Sequence, residues 1–186
     1  MTFASRYHST DAQISSEQVH IEQAQKDISK FEVLYHSHYA KIFAFVYQRL
    51  DSKEIASDIT SQVFLKAMTN ISRYENKGLP FSAWLYRIAV NELNRHFRSR
   101  KNDRAINVTT DDLHNIMEEL EDPDTEERHA KLLALLSDLP EEELQLVEMR
   151  YFENMPFREI AEILDITENN AKVRLYRLID KLKKIM

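Results

Sequence analysis

Apolar residues in the first hundred positions recur at helical spacing. Phe31, Leu34, Tyr35, Ile42, Phe45, Val46 and Leu50 form one run, and Ile55, Ile59, Val63, Phe64 and Ala67 form a second. Both follow a 3.6-residue period rather than a two-residue alternation, so both predict amphipathic helices. Ser16 followed three residues later by Val19 is only half a capping signal, which leaves the start of the first helix loose. Asp51 and Ser52 separate the two runs. "NKGLPF" contains the only glycine and a proline and predicts a loop; a third helix follows from about Phe81 to Arg100 with no breaker inside it. Further on, "HAKLLALLSDL" predicts a helix. "LPEEELQLVEMRYF" predicts another, with Pro140 near its first turn and carboxylates where the helix dipole favours them. "NMPF" turns the chain, and "FREIAEIL", "DIT" and "ENNAKVRLYRLIDKLKKIM" complete it. No segment carries a strand signal, so the expected class is all-α.

Composition removes several kinds of chemistry. With one glycine in 186 residues the chain cannot build a Walker loop or a dinucleotide fingerprint, both of which need glycines where backbone approaches phosphate. With no cysteine it has no disulfide, no thiolate metal site and no cysteine nucleophile. The N-terminal segment lacks an apolar signal region, and no run of 18 apolar residues occurs, so neither standard export nor membrane insertion is expected and the expected location is cytoplasmic. The formal net charge is −6, but residues 103–127 alone hold ten acidic residues against one basic, which leaves the rest slightly positive. That acidic strip, with Pro123 near its end, predicts a tether over 102–126 in which "LHNIMEEL" forms at most a transient helical turn or two. The expected organisation is a disordered tail over 1–15, a helical domain over 16–101, the tether, and a second helical domain over 127–186.

Two constellations point toward nucleic acid. In the last thirty residues a short helix with small Ala161 is followed by Asp165, a residue tolerant of the left-handed conformation a tight turn requires. Ile166, Ala171, Leu175, Leu178 and Leu182 then share one face of the next helix, and Asn169, Asn170, Lys172, Val173, Tyr176 and Arg177 share the other. One packed face and one face of base-reading and phosphate-reading side chains is the pattern of a helix-turn-helix. A helical hairpin with a solvated basic face gives the same pattern. The second constellation lies from Arg87 to Arg104, where six Lys/Arg stand against two acidic residues with Trp84, Tyr86, Asn91, Asn94, His96 and Phe97 around them. Such a stretch suits single-stranded nucleic acid. It is equally what a solvated helix end with some core aromatics looks like. Catalysis finds no foothold: the seven histidines are scattered, His36 and His38 point apart on a helix, and Asp111 and Asp112 lie in the tether. No catalytic residue, metal ligand or cofactor is expected, and no enzyme.

The runs "DSKEIASDITSQVFLKAM", "KGLPFSAWLYRIAVNELNRHFRSRK" and "LPEEELQLVEMRYFENMPFREIAEILDITENNAKVRLYRLIDKL", in this order, resemble bacterial RNA polymerase sigma factors of the extracytoplasmic-function class, over about residues 16–186. The resemblance implies a sigma domain 2, no domain 3, and a sigma domain 4. It implies that the helix "KEIASDITSQVFLKAM" docks on the clamp helices of the polymerase largest subunit, through Asp58, Gln62 and Phe64. The usual motif places its glutamine three after the aspartate, where this chain has Ser61 with Gln62 next to it. The loop "YENKGLP" with Lys77 and the helix after it would read the minus-ten element as separated strands, Asn91 contacting a base and Arg87, Arg95 and Arg98 holding phosphates. Arg87 and Ile88 stand where housekeeping members carry a duplex-opening tryptophan pair, so Trp84 is expected in the core. The minus-thirty-five readers would be Lys172, Val173, Tyr176 and Arg177. Partners the resemblance implies are polymerase core, including the flap of its second-largest subunit, promoter DNA, and an anti-sigma factor. The competing readings are a stand-alone helix-turn-helix regulator with a sensing or dimerising first block, and a helical protein whose basic faces bind an acidic partner.

Overall fold

A computed structural model describes residues 11–100 and 104–186, and these separate into two units, one ending at Asn107 and the other beginning at Val108. Every regular element among the described residues is helical. The isolated bridge between Leu50 and Arg104 is the nearest approach to a strand.

The first unit holds four helices, α1 (Asp11–Lys26), α2 (Phe31–Tyr47), α3 (Lys53–Asn70) and α4 (Phe81–Ser99). The boundaries have identifiable causes. Asp27 accepts the Ser29 N–H and turns the chain after α1. Ser52 caps α3 by accepting the Ile55 N–H at 3.3 Å. α4 starts after Pro80, which has no capping side chain, and a residue far away in sequence supplies the cap instead: Glu17 on α1 accepts the Phe81 N–H at 3.1 Å. The same carboxylate bonds His38 at 2.6 Å. Burial alone would push Glu17 up, but the hydrogen bond and charge of His38 and the Phe81 amide outweigh it and hold the carboxyl below its ordinary value. Most of the predicted periodic set is core, including Leu34, Ile42, Phe45 and Val63, each essentially inaccessible, with Tyr35 and Ile55 half-buried at its edge; Leu85 and Leu93 of α4 complete it.

Three boundaries differ from those the sequence predicts. The helix α1 begins at Asp11, so residues 11–15, assigned to a disordered tail, are helical; residues 1–10 lie outside the described residues. The first unit does not stop at 101. The Ala105 N–H donates to the Arg49 carbonyl at 3.0 Å and the Asn107 N–H to that of Gln48 at 2.8 Å. The Asn107 side chain also donates to the carbonyls of Tyr47 and Leu50, at 2.9 and 2.5 Å. These bonds use the carbonyls left over at the end of α2.

The largest correction concerns the tether. Within it Thr110–Leu120 forms a full helix, α5, opened by a capping box between Thr109 and Asp112. Leu113, Ile116, Met117 and Leu120, at the i, i+3, i+4, i+7 spacing, are all buried against the second unit. The acidic residues occupy the other face, which is why composition suggests a solvated strap.

The second unit continues with α6 (Glu126–Ser137), α7 (Glu141–Val147), a wide turn over Glu148–Phe152, α8 (Phe157–Leu164) and α9 (Glu168–Ile185). α5 rests on that wide turn and on α9, and the Asn115 side chain donates to the Tyr151 carbonyl at 3.2 Å. Between α5 and α6, Asp124 sits between two imidazoles, bonding His114 at 2.6 Å and also His129. The hydrogen bond to Asp124 and its charge hold His114 above its ordinary value, and bonds to the two imidazoles hold Asp124 below its own. No helix among the described residues is long and apolar enough to cross a membrane.

Candidate nucleic-acid interface

The helix pair α8 and α9 has the predicted geometry. Asp165 takes φ 57° and ψ 44°, the left-handed turn the sequence suggests, and Thr167 caps α9 by accepting the Asn170 N–H at 3.2 Å. Ala161 is buried where the two helices cross, and Ala171, Leu175, Leu178, Ile179 and Leu182 form the packed face of α9. Asn169, Val173, Tyr176 and Arg177 are exposed, Tyr176 to 52%, while Asn170 and Lys172 are half-buried. Lys172 bonds Glu168 at 2.6 Å one turn back, and Arg174 reaches Glu142 on α7 at 3.4 Å. Phe157, at the start of α8, packs edge-on against Tyr176 with centroids 6.0 Å apart and lies 5.7 Å from the Lys172 ammonium. All six predicted residues thus lie in the first three turns of one helix, and Phe157 supports the middle of the row.

On α4 the candidates Arg87, Asn91, Arg95 and Arg98 fall at i, i+4, i+8 and i+11 and form one stripe. Asn91, Arg95 and Arg98 are exposed and Arg87 is half-buried. Lys77 is exposed on the preceding loop, next to Gly78, whose φ of 71° lets its N–H reach the Asn76 side chain at 2.7 Å. Beside Asn91 opens a pocket of about 350 Å³ lined by Lys66, Asn70, Arg73, Trp84, Ile88, Asn91 and Glu92. Trp84 is half-buried rather than fully in the core: its ring packs on Tyr74 and Phe81, with centroids 4.9 and 5.4 Å away, and forms one wall of the pocket.

Glu92, 4% exposed, is the anion beneath this stripe; it bonds the Lys66 ammonium and pairs with Arg95 at 2.6 Å. Arg95 also donates to the side-chain oxygen Oε1 of Gln62 on α3 at 2.7 Å, so the α4 stripe and the α3 candidates meet there. Asp58 and Gln62 are exposed one turn apart. Phe64 is not on that surface. It is 3% exposed and its ring packs against Tyr35 and Tyr39 of α2, with centroids 4.9 and 5.9 Å away, so it cannot touch a docked partner. The apolar side chains that do face outward beside Gln62 are Leu65 and Met68, 58% and 36% exposed.

Several of these residues escape the sequence reading. Leu65 and Met68 do carry a sequence signal, because they fall outside the buried register of Ala56, Ile59, Val63 and Ala67. Lys66, Arg73 and Glu92 have no such signal, since the pocket exists only where α3 and α4 meet. Nor do the supports of the loop before α4. Gln25 on α1 donates to the carbonyls of Ile71 and Tyr74 at 3.0 and 2.8 Å, and Gln18 accepts from Asn76 at 2.8 Å.

Comparison with known proteins places both modules. Residues 34–103 match the family described as Sigma-70 region 2, and residues 129–182 match Sigma-70, region 4. The chain is 27% identical over 171 residues to the ECF RNA polymerase sigma factor BldN of Streptomyces coelicolor, covering 89% of this chain and 64% of that protein's length. It is 28% identical over 154 residues to the ECF RNA polymerase sigma factor SigW of Bacillus subtilis, covering 77% of this chain and 82% of that one. The solved structure of CnrH in complex with the cytosolic domain of CnrY shares the fold, with a TM-score of 0.60 at 19% identity over 90% of this chain and 94% of that one.

Proposed function

This chain belongs to the extracytoplasmic-function class of the sigma-70 family, and from that premise we propose how its two modules direct RNA polymerase core to promoters. The observation that carries the reading is that the modules offer nucleic-acid surfaces of opposite shape. The exposed row on α9 is convex, with amide, aromatic and cationic side chains at successive turns, and suits a duplex major groove, here the minus-thirty-five element. The α4 surface is concave. A pocket of about 350 Å³ beside Asn91 takes a nucleobase, which a duplex keeps stacked inside, so it reads an unpaired strand. Trp84 supplies a ring for stacking, Asn91 the hydrogen bonds to a base edge, and Arg87, Arg95, Arg98 and Lys77 the phosphate contacts of the minus-ten region.

Polymerase docking falls to α3. Asp58, Gln62, Leu65 and Met68 recur at turn spacing and make a narrow stripe, polar at one end and apolar at the other, which fits a helical partner such as the clamp coiled coil. The second module would rest on the flap. An anti-sigma partner would compete for the same apolar stripe; the relative CnrH was captured with the cytosolic domain of another protein. Each module contacts only a handful of phosphates, so neither holds a promoter alone at physiological salt. Polymerase fixes both in one frame, which makes the second contact intramolecular and raises affinity by about 10²- to 10⁴-fold.

The test is promoter-directed transcription with purified core polymerase and a promoter carrying both elements. The native chain is expected to give a defined transcript. Asn91→Ala is expected to reduce it on double-stranded template and to lose less on a template already melted at minus ten. Tight binding of a defined duplex by the chain alone, indifferent to polymerase, would overturn the reading.

A further inference from the structure

We propose that α5 is a stowed length of tether, packed on the second module at rest and peeled off it when both promoter elements are engaged. The inference rests on the two-element reading above and adds a moving part to it.

The first observation is how little chain separates the modules while α5 is packed. Asn107 is bonded to the first module through its N–H and its side chain, and Thr109 already caps α5. Only Val108 lies between, so the two anchors are at most about 7 Å apart. Chains of these lengths fold into bodies on the order of 30 Å across. With their reading surfaces at opposite poles, the two modules would then span roughly 70 Å. The elements implied by the resemblance are about 25 base pairs apart, roughly 85 Å at 3.4 Å per pair. The packed form falls short. Uncoiling residues 108–125 adds up to about 60 Å of reach.

The second observation is how α5 is fastened. Four apolar side chains, from Leu113 to Leu120, hold the helix itself, and the chain just after it is held by polar contacts: Glu121 with Lys183 at 3.3 Å, Asp122 with Arg128 at 3.1 Å, and Asp124 with His114 and His129. Glu121 itself closes the helix at φ 56°, a conformation that favours glycine. The Glu121–Lys183 pair, with Glu121 open to solvent, is weak and salt-screened, whereas Asp122 is largely covered. The third observation is what the segment becomes once released. Asp111, Asp112, Glu118, Glu119, Glu121, Asp122 and Asp124 repel one another along an uncoiled chain, and a charged linker of one sign extends. The packed helix is compact and the released strand is stiffened by the same residues. Finally, α5 falls between the two family matches, which end at residue 103 and resume at 129, so it belongs to neither conserved-length module.

The absence of native cysteine makes the test clean. Spin labels on Glu118→Cys and Asp180→Cys report the distance from α5 to α9, and a second pair on Ala130→Cys and Asp180→Cys reports the integrity of the second module. In the polymerase–promoter complex the first distance is expected to grow by about 20 Å or more and to broaden, while the second stays fixed. A variant with about twelve Gly and Ser residues inserted between Asn107 and Val108 supplies the reach another way. Its complex is expected to keep α5 packed. A transcribing complex of the labelled chain with an unchanged Glu118–Asp180 distance would overturn the inference and leave the two-element reading intact. So would release of α5 in the inserted variant. Failure of the native chain to form any polymerase-dependent promoter complex would remove the reading, and the inference with it.

Discussion

Arg177 and Lys172 stand one turn apart and a half from each other on α9, yet their surroundings differ. Lys172 is half-buried, paired with Glu168 and close to the Phe157 ring, whereas Arg177 is exposed. Arg177→Ala is therefore expected to weaken polymerase-dependent promoter binding by about 1 to 3 kcal/mol if it contacts a base, and Lys172→Ala by less, because Lys172 must first leave Glu168. Titration against promoters altered at minus thirty-five separates base from phosphate contact: an equal loss on every sequence means phosphate. Glu17 yields a different prediction. Its carboxyl is held below the ordinary value, so its contribution is present above about pH 4.5 and is lost as pH falls through the lower folded-state value. Glu17→Gln is expected to cost about 1.5 to 3 kcal/mol at pH 7, as for a hydrogen bond to a charged group. The difference from the native chain should then shrink as the solution is acidified. Urea unfolding followed by the single tryptophan, Trp84 in the first module, measures this directly.

Within an element, the direction of a side chain decides its role. On α3, Phe64 and Leu65 are neighbours in sequence and opposite in fate, one packed among the tyrosines of α2 and the other in solvent. Phe64→Ala is expected to destabilise the first module by about 3 to 5 kcal/mol, whereas Leu65→Ser and Met68→Ser leave its unfolding nearly unchanged and reduce affinity for polymerase core. Chemical denaturation and a core-binding titration on the same three variants check both halves of this statement; a normal core affinity for the Leu65 and Met68 variants would sink the docking face. α5 shows the same division across a helix. Its buried residues are worth about 1.5 to 3 kcal/mol each when fully covered, which makes packing the resting state. Any release has to be driven by contacts that the extended form alone makes.

At the scale of the whole molecule, two weakly basic surfaces are joined by a strongly acidic stretch, so the formal charge of −6 opposes DNA binding by the isolated chain. Promoter affinity of the chain alone is expected to be low at 150 mM salt and to fall steeply with added salt, while the polymerase complex retains selectivity over the same range. Fluorescence anisotropy on promoter and scrambled duplexes, with and without core, gives the comparison; equal selectivity without core would contradict the division of labour between modules. The comparison with known relatives also bears on this scale, because the two family matches occur in order on separate units and leave the acidic stretch between them unmatched.

How much of this was legible in the sequence follows from the range of each interaction. The sequence by itself determined the helices other than α5, the break at Asp51 and Ser52, the left-handed turn at Asp165 and the two faces of α9, since periodicity and turn chemistry act over a few residues. Only the tertiary structure decided that Glu17 caps a helix 64 residues away, that Lys66, Arg73 and Asn91 share a pocket, and that Phe64 faces inward. It also decided that α5 is packed. An acidic composition predicts solvation of a stretch as a whole, but burial is settled face by face, by whether another surface offers an apolar stripe of the same pitch. That complement lay on α9 and the wide turn before α8, far along the chain and without a local signature at residues 110–120.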